Sequence, residues 1–89
     1  MPSIEYTANF KRRYKKKTDE MKERIDRALR LLGLDPKYPG LETHKIQGTK
    51  GVFESYVDRA NRITWEWADT AHTIRLRTNC THDIIKQNP

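Results

Sequence analysis

The sequence predicts an α+β fold, in which a two-helix hairpin packs on one face of a small, mainly antiparallel sheet of about four to five strands. Two observations lead to this prediction. Apolar residues recur at helical spacing in the first third of the chain, and they alternate with polar residues in the second half. The connections between the alternating runs have hairpin length, as antiparallel strands require. A chain of 89 residues supports one two-layer core, so we expect a single domain over residues 1–89.

The first third of the chain predicts one strand followed by two helices. "SIEYT" is short and β-prone, and indicates an edge strand. In "ANFKRRYKKK", Phe10 and Tyr14 fall four apart, on one face of a helix. Thr18 is a suitable N-cap for a second helix, because acidic residues follow it in the first turn. The apolar stripe of that helix consists of Met21, Ile25, Ala28, Leu29 and Leu32.

The second helix is expected to end at Gly33, a natural residue for the position after a helix C-cap. The proline- and glycine-containing run "LDPKYPGLE" then predicts a loop. Four strand-like runs follow: "THKIQ", "GVFESYV", "RITWEWA" and "HTIRLRTNC". "DRAN" and "ADTAH" are the turns between the last three of them.

Alternation assigns the two faces of the sheet. The apolar face, which we expect to pack on the helices, comprises Phe53, Val57, Ile63, Trp65, Trp67, Ile74, Leu76, Thr78 and Cys80. The other face comprises Glu54, Tyr56, Arg62, Thr64, Glu66, Arg75, Arg77 and Asn79. In an alternative interpretation the two tryptophans are stacking platforms for nucleic-acid bases, but their alternation with Thr64 and Glu66 favours the core.

The charge of the chain indicates a polyanionic or acidic partner. The formal net charge is +6. Residues 1–34 carry ten Lys and Arg against five Asp and Glu, and much of this excess lies in "KRRYKKK". Such a charge attracts nucleic acid or an acidic protein. A solvated helix face is the other interpretation of the run.

Several classes of function are disfavoured. The single cysteine, Cys80, excludes an intrachain disulfide and fits a reducing compartment. We find no signal peptide and no apolar run long enough to cross a membrane, so we expect a cytoplasmic protein without a membrane partner. The sequence has no phosphate-binding glycine loop, CxxC or HExxH motif, and three scattered histidines do not make a zinc site. We therefore expect no cofactor and no metal.

Two histidines flank the polar face. His44 leads into the first strand of the sheet and His82 follows the last, so both could reach the edge of a surface that carries Arg62, Arg75 and Arg77. RNA cleavage through the 2′-OH needs a base, an acid and a cation for the phosphate, and histidine and arginine fill these roles. A lone histidine is more often structural, as we expect for His72 in its turn. Glu54 and Glu66 could neutralise the arginines internally.

The run "LETHKIQGTKGVFESYVDRANRITWEW…IRLRTNCTHDIIKQNP" resembles the RelE/ParE superfamily of bacterial type II toxins. The order and spacing of degenerate motifs carry the resemblance over nearly the whole chain. "THKIQG" and "CTHDII" are most similar to the YafQ branch, and "NRITWEW" to the RelE and YoeB branches. The resemblance implies a toxin that is a ribosome-dependent mRNA endonuclease. Its implied partners are the ribosome, mRNA and a cognate acidic antitoxin.

The resemblance also implies roles for single residues. His44 falls on the general-base position, Arg62 on the phosphate-binding arginine and His82 on the general acid, while Tyr56 replaces a further catalytic histidine of YafQ-like members. The residues expected to bind RNA are Lys11, Arg12, Lys45, Lys50, Arg75 and Arg77. Tyr56, and the lack of an aromatic residue after His82, depart from the family pattern. Two alternatives stay open: a ParE-like inhibitor of gyrase, and a non-catalytic nucleic-acid-binding protein.

Overall fold

Two helices and a five-stranded sheet make up the fold. The computed structural model describes residues 2–68, 72–81, 85 and 89. In chain order the elements are β1 (Ser3–Tyr6), α1 (Ala8–Lys15), α2 (Asp19–Leu34), a 3-10 helix (Pro39–Leu41), β2 (His44–Lys45), β3 (Val52–Tyr56), β4 (Asn61–Trp67) and β5 (Thr73–Thr81). The strand order is β1-β5-β4-β3-β2, with β1 parallel to β5 and every other pair antiparallel. The predicted α+β architecture is confirmed.

Threonine caps begin both helices. The hydroxyl of Thr7 accepts a hydrogen bond from the N–H of Phe10, and the hydroxyl of Thr18 accepts one from the N–H of Met21. Each bond satisfies one of the amides that the first turn of a helix leaves without a partner. The cap predicted at Thr18 is confirmed.

The predicted end of α2 at Gly33 is wrong. The helix continues to Leu34, and Asp35 is its C-cap. Gly33 does not adopt the positive φ that a glycine after a C-cap would show; among the described glycines only Gly48 and Gly51 do. A Cβ atom at Gly33 would lie 3.5 Å from the Cδ1 atom of Ile4, in ordinary contact.

The core lies between the helices and one face of the sheet. The predicted stripe of α2 supplies Ile25, Ala28, Leu29 and Leu32, which are all buried. Trp65 is 2% exposed, stacks on Phe53 and donates its indole N–H to Ser55 Oγ at 2.9 Å. The prediction that Trp67 also belongs to this core is wrong. Its side of the sheet is the helix side, but it is 44% exposed, because it stands at the end of β4.

A β-bulge changes the faces of β5. Trp65 pairs with Leu76 and Thr64 pairs with Thr78, so Arg77 is an extra residue whose backbone has no pairing position on β4. Beyond it the alternation is inverted, and the predicted faces of Thr78, Asn79 and Cys80 are wrong. Asn79 lies on the helix side, where its Nδ2 donates to the main-chain oxygen of Phe10, and Cys80 lies on the opposite side, across from Arg62.

The remaining predictions on the fold have mixed outcomes. "THKIQ" forms a strand of only two residues, His44 and Lys45. The "DRAN" turn is confirmed, since Asn61 donates its N–H to the main-chain oxygen of Asp58. The "ADTAH" turn falls largely outside the described residues. No helix in the described part is both long and apolar enough to cross a membrane.

Candidate functional site

The face of the sheet turned away from the helices, called the polar face here, carries half of the ten predicted site residues: His44, Tyr56, Arg62, Arg75 and Arg77. Cross-strand pairs bring its side chains together: His44 lies opposite Glu54, Glu54 opposite Thr64, and Tyr56 opposite Arg62. This face is less open than the sequence suggested. Glu54 and Thr64 are buried, and a main-chain oxygen of Pro89 accepts hydrogen bonds from Thr64 and Arg77.

Glu54 joins the predicted base to the predicted phosphate ligand. Its Oε1 atom lies 3.4 Å from Nε2 of His44 and 3.7 Å from Nε of Arg62. The Glu54 side chain is 4% exposed, whereas that of His44 is 59% exposed. The other ring nitrogen of His44, Nδ1, lies 3.0 Å from the main-chain oxygen of Glu42. The sheet therefore brings His44 and Arg62 to one carboxylate, with the imidazole accessible from solvent.

Arg62 is held in one orientation from several directions. Its Nη1 donates to the main-chain oxygens of Asp58 at 2.6 Å and Asn61 at 3.0 Å, at the turn between β3 and β4. Its guanidinium lies over the ring of Tyr56, 4.9 Å from the ring centroid. A guanidinium and an aromatic face attract each other at this distance. Tyr56 therefore contacts Arg62 and belongs to the same end of the polar face.

The other two arginines of the polar face are paired with carboxylates. Glu66 accepts from Nη1 of Arg75 at 3.1 Å and from Nη1 of Arg77 at 2.6 Å. Arg75 also pairs with Glu5 on β1. The hydrogen bond to Glu5, and to a smaller extent the one to Glu66, raises the pKa of Arg75. The expectation that Glu66 neutralises part of this charge within the protein is therefore correct.

The other predicted residues lie elsewhere or outside the described residues. Lys45 pairs with Phe53 and is on the helix side of the sheet, and Lys50 is exposed in the loop that follows. Lys11 and Arg12 are on α1, which contacts β5, and two strands separate β5 from β2. His82, the predicted acid, lies outside the described residues.

His72 has a surrounding that the sequence did not indicate. It adopts a positive φ of 61°, and its ring stacks on Trp67 with 6.1 Å between centroids.

Within the described part of the chain, no group of three His, Cys, Asp or Glu side chains is arranged to hold a metal ion.

Glu54 makes contacts that the sequence did not predict. Its side chain was placed on the correct face, but its contact with both His44 and Arg62 follows from the register of β2 on β3. The loop at residues 46–51 sets that register. The signal in the sequence was an acidic residue two positions before Tyr56, on the same face of the strand.

Comparison with solved structures identifies the fold. The YoeB/ParE toxin from Agrobacterium tumefaciens superposes with a TM-score of 0.76 at 15% identity, over 90% of this chain and 98% of that one. YafQ from E. coli gives 0.72 at 18% identity, over 96% and 98%. The RelE–RelB complex from Pyrococcus horikoshii gives 0.73 at 10% identity, over 90% and 93%. No protein-family model and no curated protein sequence matches the chain. The chain therefore has the RelE-like fold of these toxins, at low sequence identity.

Proposed function

We propose that this chain is the toxin of a type II toxin–antitoxin system and acts as a ribosome-dependent mRNA endonuclease. The fold supports the first part, since chains of this fold have been solved as toxin–antitoxin complexes, among them RelBE and DinJ–YafQ from E. coli. The second part depends on one observation: an accessible imidazole, His44, and an oriented guanidinium, Arg62, meet at the same carboxylate, Glu54.

His44 is the base in the proposed reaction. With Nδ1–H donating to the oxygen of Glu42, the Nε2 lone pair accepts the proton of the 2′-OH. The 2′-oxygen then forms a bond to the adjacent phosphorus while the bond from phosphorus to the 5′-oxygen breaks. The products are a cyclic 2′,3′-phosphate and a 5′-hydroxyl. The buried carboxylate of Glu54 faces the imidazolium that forms, and so stabilises its charge.

Arg62 stabilises the charge on the phosphate. The main-chain oxygens of the turn and the ring of Tyr56 fix its guanidinium before substrate arrives, so little ordering is needed during the reaction. His82 donates the proton to the departing 5′-oxygen in this proposal, a role that rests on its position in the sequence alone.

The ribosome would supply what the polar face lacks. Arg75 and Arg77 share the single carboxylate of Glu66, which neutralises part of their combined positive charge. The ribosome would hold the 2′-oxygen in line with the bond that breaks, and orientation of this kind is worth many orders of magnitude in rate. Free RNA should therefore be a poor substrate, and mRNA on a ribosome a good one.

A primer-extension assay on programmed ribosomes tests the proposal. Purified wild-type protein should create new 5′ ends within the mRNA, and His44→Ala should slow their formation by about 100-fold or more. Arg62→Lys should be slowed as well, because an ammonium group cannot keep the contacts with the turn oxygens and the Tyr56 ring that hold the guanidinium in place. Arg30→Ala, an exposed arginine on α2, is the matched control and should cleave like wild type. Intact mRNA, together with inhibition of gyrase supercoiling, would reject the nuclease in favour of the gyrase-directed alternative.

A further inference from the structure

A groove lies on the helix side of the sheet, along the edge that β2 forms. It has a volume of about 470 Å³ and lies where the 3-10 helix and the loop before it pass over the helix side of β3 and β4. Aromatic side chains line it: Phe53 and Trp65 in contact with the core, and Tyr38 and Trp67 at the surface. The proposed cleavage mechanism uses none of these four residues.

Tyr38 and Trp67 are exposed although both carry large aromatic rings. Tyr38 is 45% exposed and Trp67 is 44% exposed, although Trp65, two residues away on the same strand, is buried. His72 stacks on Trp67 with an angle of 14° between the rings, and Trp65 meets it edge-on. These contacts restrict the indole of Trp67, so stacking a further ring on it would cost little additional ordering.

The charges around the groove favour an anionic ligand. Lys37 and Lys45 line it and are exposed, against one acidic residue, Glu42. His44 also lines the groove, so the groove is continuous with the site proposed for cleavage. Exposed aromatic rings with flanking cations are the usual means of holding single-stranded nucleic acid, because every base has a face on which an aromatic ring can stack.

We infer that this groove is a second RNA subsite, in which Trp67 and Tyr38 stack an unpaired base of the mRNA while Lys37 and Lys45 contact its phosphates. The inference deepens the proposed function and rests on it for the identity of the ligand as mRNA. It gives Lys45 a place in RNA binding although its side chain is on the opposite side of the sheet from Glu54. The strand that carries His44 would then lie between two stretches of the same RNA.

Binding of a non-cleavable RNA tests the inference without depending on catalysis. The probe is a short 2′-O-methyl oligouridylate, which lacks the attacking hydroxyl, titrated at low salt. It should quench the tryptophan fluorescence of the wild-type protein. With a labelled probe, Trp67→Leu and Tyr38→Ala should each weaken binding by about tenfold, the effect of losing one stacking partner. Trp67→Tyr retains an aromatic ring and should lose less.

Tyr6→Ala is the matched control. Tyr6 is 45% exposed and lies in a separate groove of about 380 Å³ that is also lined by lysines, Lys11, Lys15 and Lys22. This variant should bind the probe like wild type. Equal weakening by Tyr6→Ala, or wild-type binding by Trp67→Leu with an unchanged thermal unfolding midpoint, would overturn the inference. A third result would also overturn the inference: the probe does not bind, and the tryptophan fluorescence changes with protein concentration. That result would assign the groove to a second copy of the chain.

The binding and cleavage assays can reject the RNA subsite and the nuclease independently of each other. Probe binding that depends on Trp67, without any cleavage on ribosomes, would support the subsite and reject the nuclease. Ribosomal cleavage that Trp67→Leu and Tyr38→Ala leave unchanged, with unchanged probe binding, would reject the subsite and support the nuclease.

Discussion

Glu54 is the residue on which the proposed site depends, because it is a buried acid that faces two basic side chains. Its partners differ in exposure: the side chain of Arg62 is 20% exposed and that of His44 is 59% exposed. Interactions between charges weaken as water reaches them. The pair with Arg62 should therefore contribute more to stability than the pair with His44, although its separation is slightly longer.

A double-mutant cycle measures this difference. Glu54→Gln and Arg62→Gln, alone and together, should give a coupling energy of about 1 to 3 kcal/mol in urea unfolding. The corresponding cycle of Glu54→Gln with His44→Gln should give less than about 1 kcal/mol. A larger coupling with His44 would show that the contact at the solvent edge dominates.

Asp58 makes the stability of the protein depend on pH in the acidic range. Burial alone would raise the pKa of Asp58, but hydrogen bonds from the side chains of Asn61 and Arg24 and from the N–H groups of Ala60 and Asn61 outweigh it and lower the pKa below its ordinary value of 3.8. A group whose pKa is lower in the folded state stabilises the fold above its unfolded pKa. That contribution is lost as the pH falls through the folded value.

Asp58→Asn should therefore cost about 1 kcal/mol at neutral pH, and the difference from wild type should shrink below about pH 4. Asparagine retains one oxygen acceptor for the turn but does not titrate. Urea unfolding midpoints of the two proteins, measured across this pH range, check the prediction. A difference that stays constant down to about pH 3 would mean that the Asp58 charge contributes nothing to the folded state.

Among the secondary-structure elements, β5 shows most clearly where sequence reasoning stops. The alternation of Ile74, Arg75 and Leu76 assigned the first half of the strand correctly. One extra residue, Arg77, then inverts the faces of the side chains from Thr78 to Thr81. A bulge of this kind leaves no sign in the polar and apolar pattern, because Thr78, Asn79 and Cys80 are all small or polar enough for either face. The faces beyond Arg77 could be known only from the pairing with β4.

Because of the bulge, the side chain of Asn79 is buried on the helix side of the sheet. Its Nδ2 donates to the main-chain oxygen of Phe10 at 3.0 Å, and the residue is 1% exposed. Asn79→Ala would leave a buried acceptor without this donor, and should destabilise the protein by about 1 to 3 kcal/mol. Asn9→Ala removes a comparable bond, to the oxygen of Arg77, at a half-buried position, and should cost less. Thermal unfolding of the two variants gives the comparison, and a smaller loss for Asn79→Ala would contradict the argument.

The glycines of the helical and loop segments should respond in opposite ways to alanine. Gly33 is inside α2 and has space for a Cβ atom, so Gly33→Ala should stabilise the protein by about 0.5 to 1 kcal/mol. Gly51 also has space around it, but its φ is +75°, so Gly51→Ala should destabilise by about 1 to 2 kcal/mol through the backbone alone. Chemical denaturation of both variants tests the pair. Destabilisation by Gly33→Ala would indicate that Ile4 cannot accommodate the extra methyl group.

At the scale of the whole molecule, the sequence predicted the architecture well and the electrostatics of the sheet less well. The stripe from Ile25 to Leu32 and the period-two runs were sufficient for two helices on a sheet, because both patterns follow from which side of an element is buried. The positive charge predicted for the polar face is too high, because carboxylates neutralise part of it. Glu5, which pairs with Arg75, is on β1, and no local pattern indicates that β1 lies beside β5.

The position of β1 beside β5 also bears on how the protein is made. Ser3 pairs with Thr73, about seventy residues later in the chain, and β5 separates β1 from β4 in the sheet. A ribosome synthesises β1 and α1 first, yet both pack against β5, which it synthesises last of all the strands. The polypeptide should thus stay unfolded through most of its own translation, since contacts this distant in sequence form late.

A protein proposed to halt translation would then be inactive on the ribosome that is producing it. Arrested nascent chains test this consequence: those that end before residue 73 should be digested by a protease, and those long enough to expose all of β5 should resist it. Resistance in the shorter chains would mean that the helices and the first three strands fold without β5. If the shorter chains are digested, self-intoxication during synthesis is avoided by the order of the strands along the polypeptide, without any need for an inhibitor at that stage.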